Sequence, residues 1–175
     1  KSSVLSLVQV GSLNSNKNQI FSVQVLSELL KLGVEAKLTI IGFELEKTYR
    51  DKIIKEIDRL GLSSSVCLLP GTSNIPQILH DSDIFLMPSI REGFGIALIA
   101  AQARGLRCYA SSSIPTTTDC GGTIYVDLTD GPKFWAHKIA NDEFIIDRRK
   151  GYYNTERFKL VNILDEYYRI YTNGK

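Results

Sequence analysis

Residues 84–104 read Ile84-Phe85-Leu86-Met87, then Pro88-Ser89-Ile90-Arg91-Glu92-Gly93-Phe94-Gly95, then Ile96-Ala97-Leu98-Ile99-Ala100-Ala101-Gln102-Ala103-Arg104. The short continuous apolar run fits a strand covered on both faces. A proline ends it and two glycines bracket Phe94 in the loop. The third block is almost wholly apolar, which predicts a helix buried in the protein. Gly105 stops that helix, and residues 106–110 return as another strand. Strand, loop, helix and strand make one βαβ unit, so the two strands are parallel.

The same alternation extends in both directions. Upstream, residues 4–10 form a β-branched run ending at Gly11, and residues 17–32 carry Phe21, Val25, Leu29 and Leu32 on one helical face before Gly33. Residues 36–41 are a strand, and residues 46–60 an amphipathic helix with Tyr49, Ile53, Ile57 and Leu60 inward. Residues 66–69 are a strand, and residues 76–80 a short helix. Downstream, residues 124–126 form a sixth strand. Residues 131–140 form a helix with Pro132 in its first turn, and residues 155–172 a last helix striped by Phe158, Val161, Leu164, Tyr168 and Tyr171. The pattern predicts a Rossmann-like, doubly wound α/β fold: about six parallel strands, the first lying centrally, with helices on both faces.

The chain has 175 residues, 43% hydrophobic and 23% charged, enough for one domain with a real core. A net charge of +2 gives no footprint for nucleic acid. No apolar run reaches the length of a membrane span. Lys1 followed at once by strand-like sequence implies a chain cut from a longer one. The three cysteines, Cys67, Cys108 and Cys120, lack the spacing of a zinc or redox site. They read as reduced thiols, with Cys67 and Cys108 buried in strands. His80 and His137 are the two histidines, and neither has a partner for a metal site or a nucleophilic triad.

In an open parallel sheet, ligands bind where strands end and loops enter helices. Three such loops stand out. Residues 11–18, Gly-Ser-Leu-Asn-Ser-Asn-Lys-Asn, place Lys17 at a helix start, where it can meet a phosphate or simply be solvated. In residues 88–95, Gly93 and Gly95 let the backbone approach a ligand, and the amides of Gly95 and Ile96 point out of a helix N-terminus. An ordinary tight turn reads the same way. Glu92, at the mouth of an apolar helix, has no evident structural role. Residues 111–122, rich in serine and threonine, either line the cleft or connect two elements.

The order of these pieces resembles the C-terminal, nucleotide-sugar-binding domain of retaining GT-B glycosyltransferases, the family of many bacterial capsule and exopolysaccharide transferases. Val10-Gly11-Ser12-Leu13 with Lys17-Asn18, Leu38-Thr39-Ile40-Ile41-Gly42, and the run from Asp81 through Ser89 into Arg91-Glu92-Gly93-Phe94-Gly95 carry the resemblance, which covers essentially the whole chain. It implies a single donor-binding domain over residues 1–175, with an acceptor-binding N-terminal domain outside this chain. Lys17 matches the residue that meets the donor diphosphate. Glu92 matches the first glutamate of a Glu-x7-Glu pair beside the donor sugar. Gly93, Phe94 and Gly95 match the loop whose backbone cradles the phosphates, and the Ile96 amide stands beside them as a binding group. The implied catalytic residues are Glu92 and Lys17, with no metal and no cofactor beyond the nucleotide-sugar substrate. The implied acceptor is a saccharide or lipid-linked saccharide. The implied location is cytoplasmic, with a peripheral position at the inner membrane face left open.

Two positions depart from the pattern. Ser12 stands where the family has an arginine that shares the diphosphate, and Ala100 stands where the second glutamate holds the ribose hydroxyls. Arg107 replaces a usual proline, a neutral change. Two alternatives therefore stay open: a non-catalytic module supporting a partner transferase, and a sugar-nucleotide epimerase or phosphorylase on the same fold.

Overall fold

The computed structural model describes residues 4–71 and 74–142. Strands β1 (Leu5–Val10), β2 (Ala36–Ile41), β3 (Val66–Leu69), β4 (Ile84–Met87), β5 (Arg107–Ser111) and β6 (Thr123–Val126) form one sheet. Their order is β3-β2-β1-β4-β5-β6, and every pairing is parallel. Helices α1 (Gln19–Lys31), α2 (Tyr49–Arg59), α3 (Ile75–His80), α4 (Ile96–Ala103) and α5 (Gly131–Ala140) connect the strands or follow them. The central place of β1 agrees with the expectation.

Side-chain alternation on the strands separates two cores. Leu7, Leu38, Ile40, Ile84, Leu86 and Tyr109 face a layer built by α1, α2 and α5, including Leu26, Leu29, Ile53 and Trp135. Val8, Ile41, Phe85, Met87, Cys108 and Ala110 face Leu79 of α3 and Leu98 and Ala101 of α4. This period of two is why the strands read as continuous apolar runs: both faces are covered. Each fully buried Leu, Ile or Phe contributes roughly 1.5–3 kcal/mol by leaving water. Trp135 is fully buried, packs edge-on against Phe21 with ring centroids 5.1 Å apart, and donates its Nε1–H to Asp127 O at 3.0 Å. That contact docks α5 on α1.

Several elements differ from the pattern-based expectation. Helix α1 begins at Gln19 because Asn18, at φ 56°, is left-handed and cannot continue a helix. Leu32 follows the last turn and is exposed. Cys67 is exposed because β3 is an edge strand whose outer neighbours are missing, whereas Cys108 is buried as expected. Helix α4 is only partly buried. Leu98, Ala101 and Gln102 point inward, but Ile96 is 73% exposed at its start. The expected helix over residues 155–172 lies outside the described residues.

Candidate functional site

The chain steps from β1 to β2 and β3 on one side, then crosses back to place β4 on the other side of β1. A crevice opens where the connections diverge, beyond the carboxyl ends of β1 and β4. The two loops that enter it are residues 11–18 and 88–95.

The first loop is held from several directions. Gly11 N donates to Ile41 O at 2.9 Å, and Leu13 N donates to Phe43 O at 2.8 Å, which extends the β1–β2 pairing into the loop. Ser15 N donates to Glu46 Oε2 at 2.7 Å. This bond holds the Glu46 carboxyl below its ordinary range, with lesser help from the Ser15 side chain and Lys52. Gly42 is required by close approach. A Cβ there would overlap Gly11 O and lie 2.8 Å from Gly11 C. Within the loop, Asn14 Oδ1 accepts from Lys17 N at 2.9 Å, Asn14 Nδ2 donates to Ser12 Oγ at 2.9 Å, and Gln9 Nε2 donates to Lys17 O at 2.7 Å. The Lys17 backbone is thereby fixed on both sides.

The second loop ends at Gly95, which caps α4 at φ 82°. A side chain there would be strained, and its Cβ would press on Thr118 Oγ1 at 3.5 Å and Glu92 Cγ at 3.6 Å. The first amides of α4 have no intrahelical acceptor, so the helix start is electropositive.

Lys17 Nζ and Glu92 Oε2 form an ion pair across the crevice, joining loops 75 residues apart in sequence. Both side chains are mostly buried, at 21% and 14% exposure. The surrounding crevice holds about 320 Å³. Ser12, Lys17, Glu92, Phe94, Gly95 and Ile96, six of the residues singled out from the sequence, line it together with Phe43 and Met87. Gly93 and Ala100 do not. Gly93 is exposed in the loop, and Ala100 is half-buried one turn beyond Ile96 on α4. Three of the lining side chains, Phe43, Phe94 and Ile96, are exposed apolar groups, and Leu45 and Ile90 are exposed in the same two connections. Among the described residues, no group of three or more His, Cys, Asp or Glu could hold a metal ion.

The loop over residues 111–122 is absent from the crevice lining. It is anchored from beneath by Gln102, which is fully buried. Gln102 Nε2 donates to Thr118 O at 2.9 Å, and its Oε1 accepts from Cys120 N at 2.6 Å. A lone glutamine inside an apolar helix was the available signal for this role. Burial pushes the Cys108 thiol well above its ordinary range, which makes it inert rather than nucleophilic. At the opposite edge of the sheet, Arg107 Nε donates to Asp142 Oδ2 at 2.8 Å and Tyr109 Oη donates to the same oxygen at 2.6 Å. Burial, and then Asp142, raise the Tyr109 phenol. Arg107 thus has partners that its reading as a neutral replacement did not foresee.

The strand order, with a crevice holding the Lys17–Glu92 pair at the switch point, defines a Rossmann-like α/β domain. The model for "Glycosyl transferases group 1" matches residues 4–119, and the chain belongs to that family. It is 30% identical over 138 residues to the putative glycosyltransferase EpsF of Bacillus subtilis, covering 78% of this chain and 35% of that protein. It is 27% identical over 151 residues to the capsular polysaccharide biosynthesis glycosyltransferase CapH of Staphylococcus aureus, covering 83% of this chain and 41% of that protein. The chain therefore spans well under half the length of these relatives. The fold superposes on HepE of Anabaena, crystallised with UDP and glucose, with a TM-score of 0.80 at 17% identity, over 97% of this chain and 48% of that one. Among the described residues, no helix is long and apolar enough to cross a membrane.

Proposed function

We propose that this chain is the donor-binding part of a retaining, metal-independent glycosyltransferase of surface-polysaccharide synthesis. It would take a sugar from a nucleoside-diphosphate sugar and pass it to a saccharide or lipid-linked acceptor held by a second domain. The observation that carries this is the Lys17–Glu92 pair facing one crevice beside the start of α4. As the bond from sugar to diphosphate breaks, negative charge grows on the leaving diphosphate. A fixed ammonium and the free amides of Gly95 and Ile96 are suited to stabilise it, with no reorganisation at the moment of reaction. The Glu92 carboxylate accepts hydrogen bonds and suits the hydroxyls of the transferred sugar. Lys17 also neutralises Glu92, which would otherwise repel the diphosphate. CapH supports the polysaccharide context, and the UDP and glucose bound to HepE support the donor class.

Titration of the protein with UDP and with GDP tests the reading. Lys17→Ala should weaken the favoured nucleotide by roughly tenfold to a hundredfold, the loss of about 1.5–3 kcal/mol for a charged hydrogen bond. Glu92→Gln should bind nucleotide at least as tightly as the parent while transferring no sugar in the full-length enzyme. Transfer should persist in EDTA, and the product anomer should match the donor's. Binding of neither nucleotide at millimolar concentration would defeat the proposal. Ser12 and Ala100, which lack the charged groups the family places there, favour the second reading of a non-catalytic module. That reading predicts no transfer and weak or absent nucleotide binding in the full-length protein, so the same titration separates the two.

A further inference from the structure

Asn16 joins the two crevice loops. Its Nδ2 donates to Arg91 O at 2.8 Å, Arg91 N donates to its Oδ1 at 3.0 Å, and Ile90 N donates to its backbone O at 2.8 Å. The side-chain amide thus pairs with both the N–H and the C=O of one residue, as a neighbouring strand would. The next residue in each loop is a member of the ion pair, Lys17 on one side and Glu92 on the other. The two Asn16–Arg91 bonds are exposed, so water competes for them and their loss costs the fold little. What they determine is register. On its other side the first loop is pinned to the connection after β2 through Leu13 and Glu46. Without Asn16, the loop over residues 88–95 has one tie fewer to that fixed frame.

We propose that Asn16 is a positioning residue, setting the register of the two loops so that the Lys17 ammonium and the Glu92 carboxylate face the same ligand. This role rests on the donor-binding function proposed above. The residue type is specific. Aspartate at this position lacks the donor for Arg91 O, alanine lacks both groups, and glutamine is one methylene too long for the same pair of backbone groups.

The test uses Asn16→Ala and Asn16→Asp in the full-length protein, with two readouts. The first needs no ligand: amide hydrogen exchange at Ile90, whose bond goes to the Asn16 backbone and not to its side chain. Exchange there should quicken several-fold in both variants, while the melting temperature stays at the parent value. An unchanged Ile90 rate overturns the proposal. The second is titration with UDP and GDP in a cycle with Lys17→Ala. Asn16→Ala alone should weaken binding by about tenfold, yet add less than about twofold on the Lys17→Ala background, because the register that Asn16 sets is that of the 88–95 loop against the Lys17 ammonium, and without the ammonium that register no longer matters. Full additivity overturns the proposal too. If the parent binds neither nucleotide, the proposed function fails, while exchange at Ile90 still decides whether Asn16 holds the loops.

Discussion

Gly42→Ala offers a sharp test of how the fold builds the crevice. The added methyl would overlap the carbonyl oxygen of Gly11, lie 2.8 Å from its carbonyl carbon and come within 3.4 Å of Ser12 Cα. These are backbone atoms, and no rotamer change relieves the clash. Either β2 or the loop over residues 11–18 must move by about an ångström. Overpacking of this kind costs about 1–3 kcal/mol. A loss near 2 kcal/mol corresponds to a fall in melting temperature of about 4–8 °C for a domain of this size. Stability alone would not locate the effect, so a matched control is needed. Gly33→Ala meets nothing within 4 Å, but Gly33 sits at φ 81°. The left-handed conformation with a side chain costs roughly 1–2 kcal/mol. Gly33 follows α1 at the opposite edge of the sheet. The two variants should therefore melt similarly and differ in nucleotide affinity. Gly42→Ala shifts Gly11 and Ser12 in the crevice wall and should weaken UDP or GDP binding by tenfold or more, whereas Gly33→Ala leaves it unchanged. Calorimetric titration beside a thermal melt reads both. Equal affinities in the two variants would refute the claim that residues 11 and 12 shape the site. A Gly42→Ala protein that melts like its parent would refute the close approach itself.

Three further outcomes are expected. Ala100→Glu, half-buried on an unbroken α4 near the crevice, should raise nucleotide affinity about tenfold by giving the ribose hydroxyls a charged acceptor. Unchanged affinity with an unchanged melt would favour the non-catalytic reading. Arg107→Ala removes the ion pair to Asp142 and should cost about 1–3 kcal/mol in denaturant unfolding. Nucleotide affinity should hold, since Arg107 lies at the far edge of the sheet. A loss of affinity would contradict that separation. Glu46 has its folded pKa depressed below the ordinary 4.5. Its support of Ser15 is therefore complete above pH 4.5 and lost as pH falls through the folded value. Exchange at the Ser15 amide, corrected for intrinsic rate, should quicken on acidification in the parent and show no such step in Glu46→Gln.

Strands buried on both faces were legible in the sequence because burial writes itself as an unbroken apolar run. The bounds of β2, β3, β4 and α5 agree with that expectation. The position of a strand within the sheet leaves a weaker trace, so Cys67 on edge strand β3 read as buried and is exposed. The almost wholly apolar composition of α4 said nothing about Ile96, which ends up exposed in the crevice lining. The three-residue helices Thr116–Thr118 and Leu128–Asp130 are too short to carry a period. For the site, loop chemistry and resemblance brought out Lys17, Glu92 and Gly95 separately. Their meeting depends on β1 and β4 being neighbours, a fact of topology. Asn16 escaped notice because its partner is the backbone of Arg91, and backbone acceptors have no signature in residue type.

The exposed apolar side chains Phe43, Leu45, Ile90, Phe94 and Ile96 have a consequence for how such a molecule can change. The loops that carry them are held by backbone bonds and by other, polar groups, and none of the five belongs to either core. Substitution at such exposed positions alters stability by about 0.5 kcal/mol or less. Selection for a new ligand can therefore act on Phe43, Phe94 and Ile96 in the crevice wall, and on their two exposed neighbours, without disturbing the frame that carries the charges. A saturation library restricted to these five positions would explore ligand preference at nearly constant foldedness.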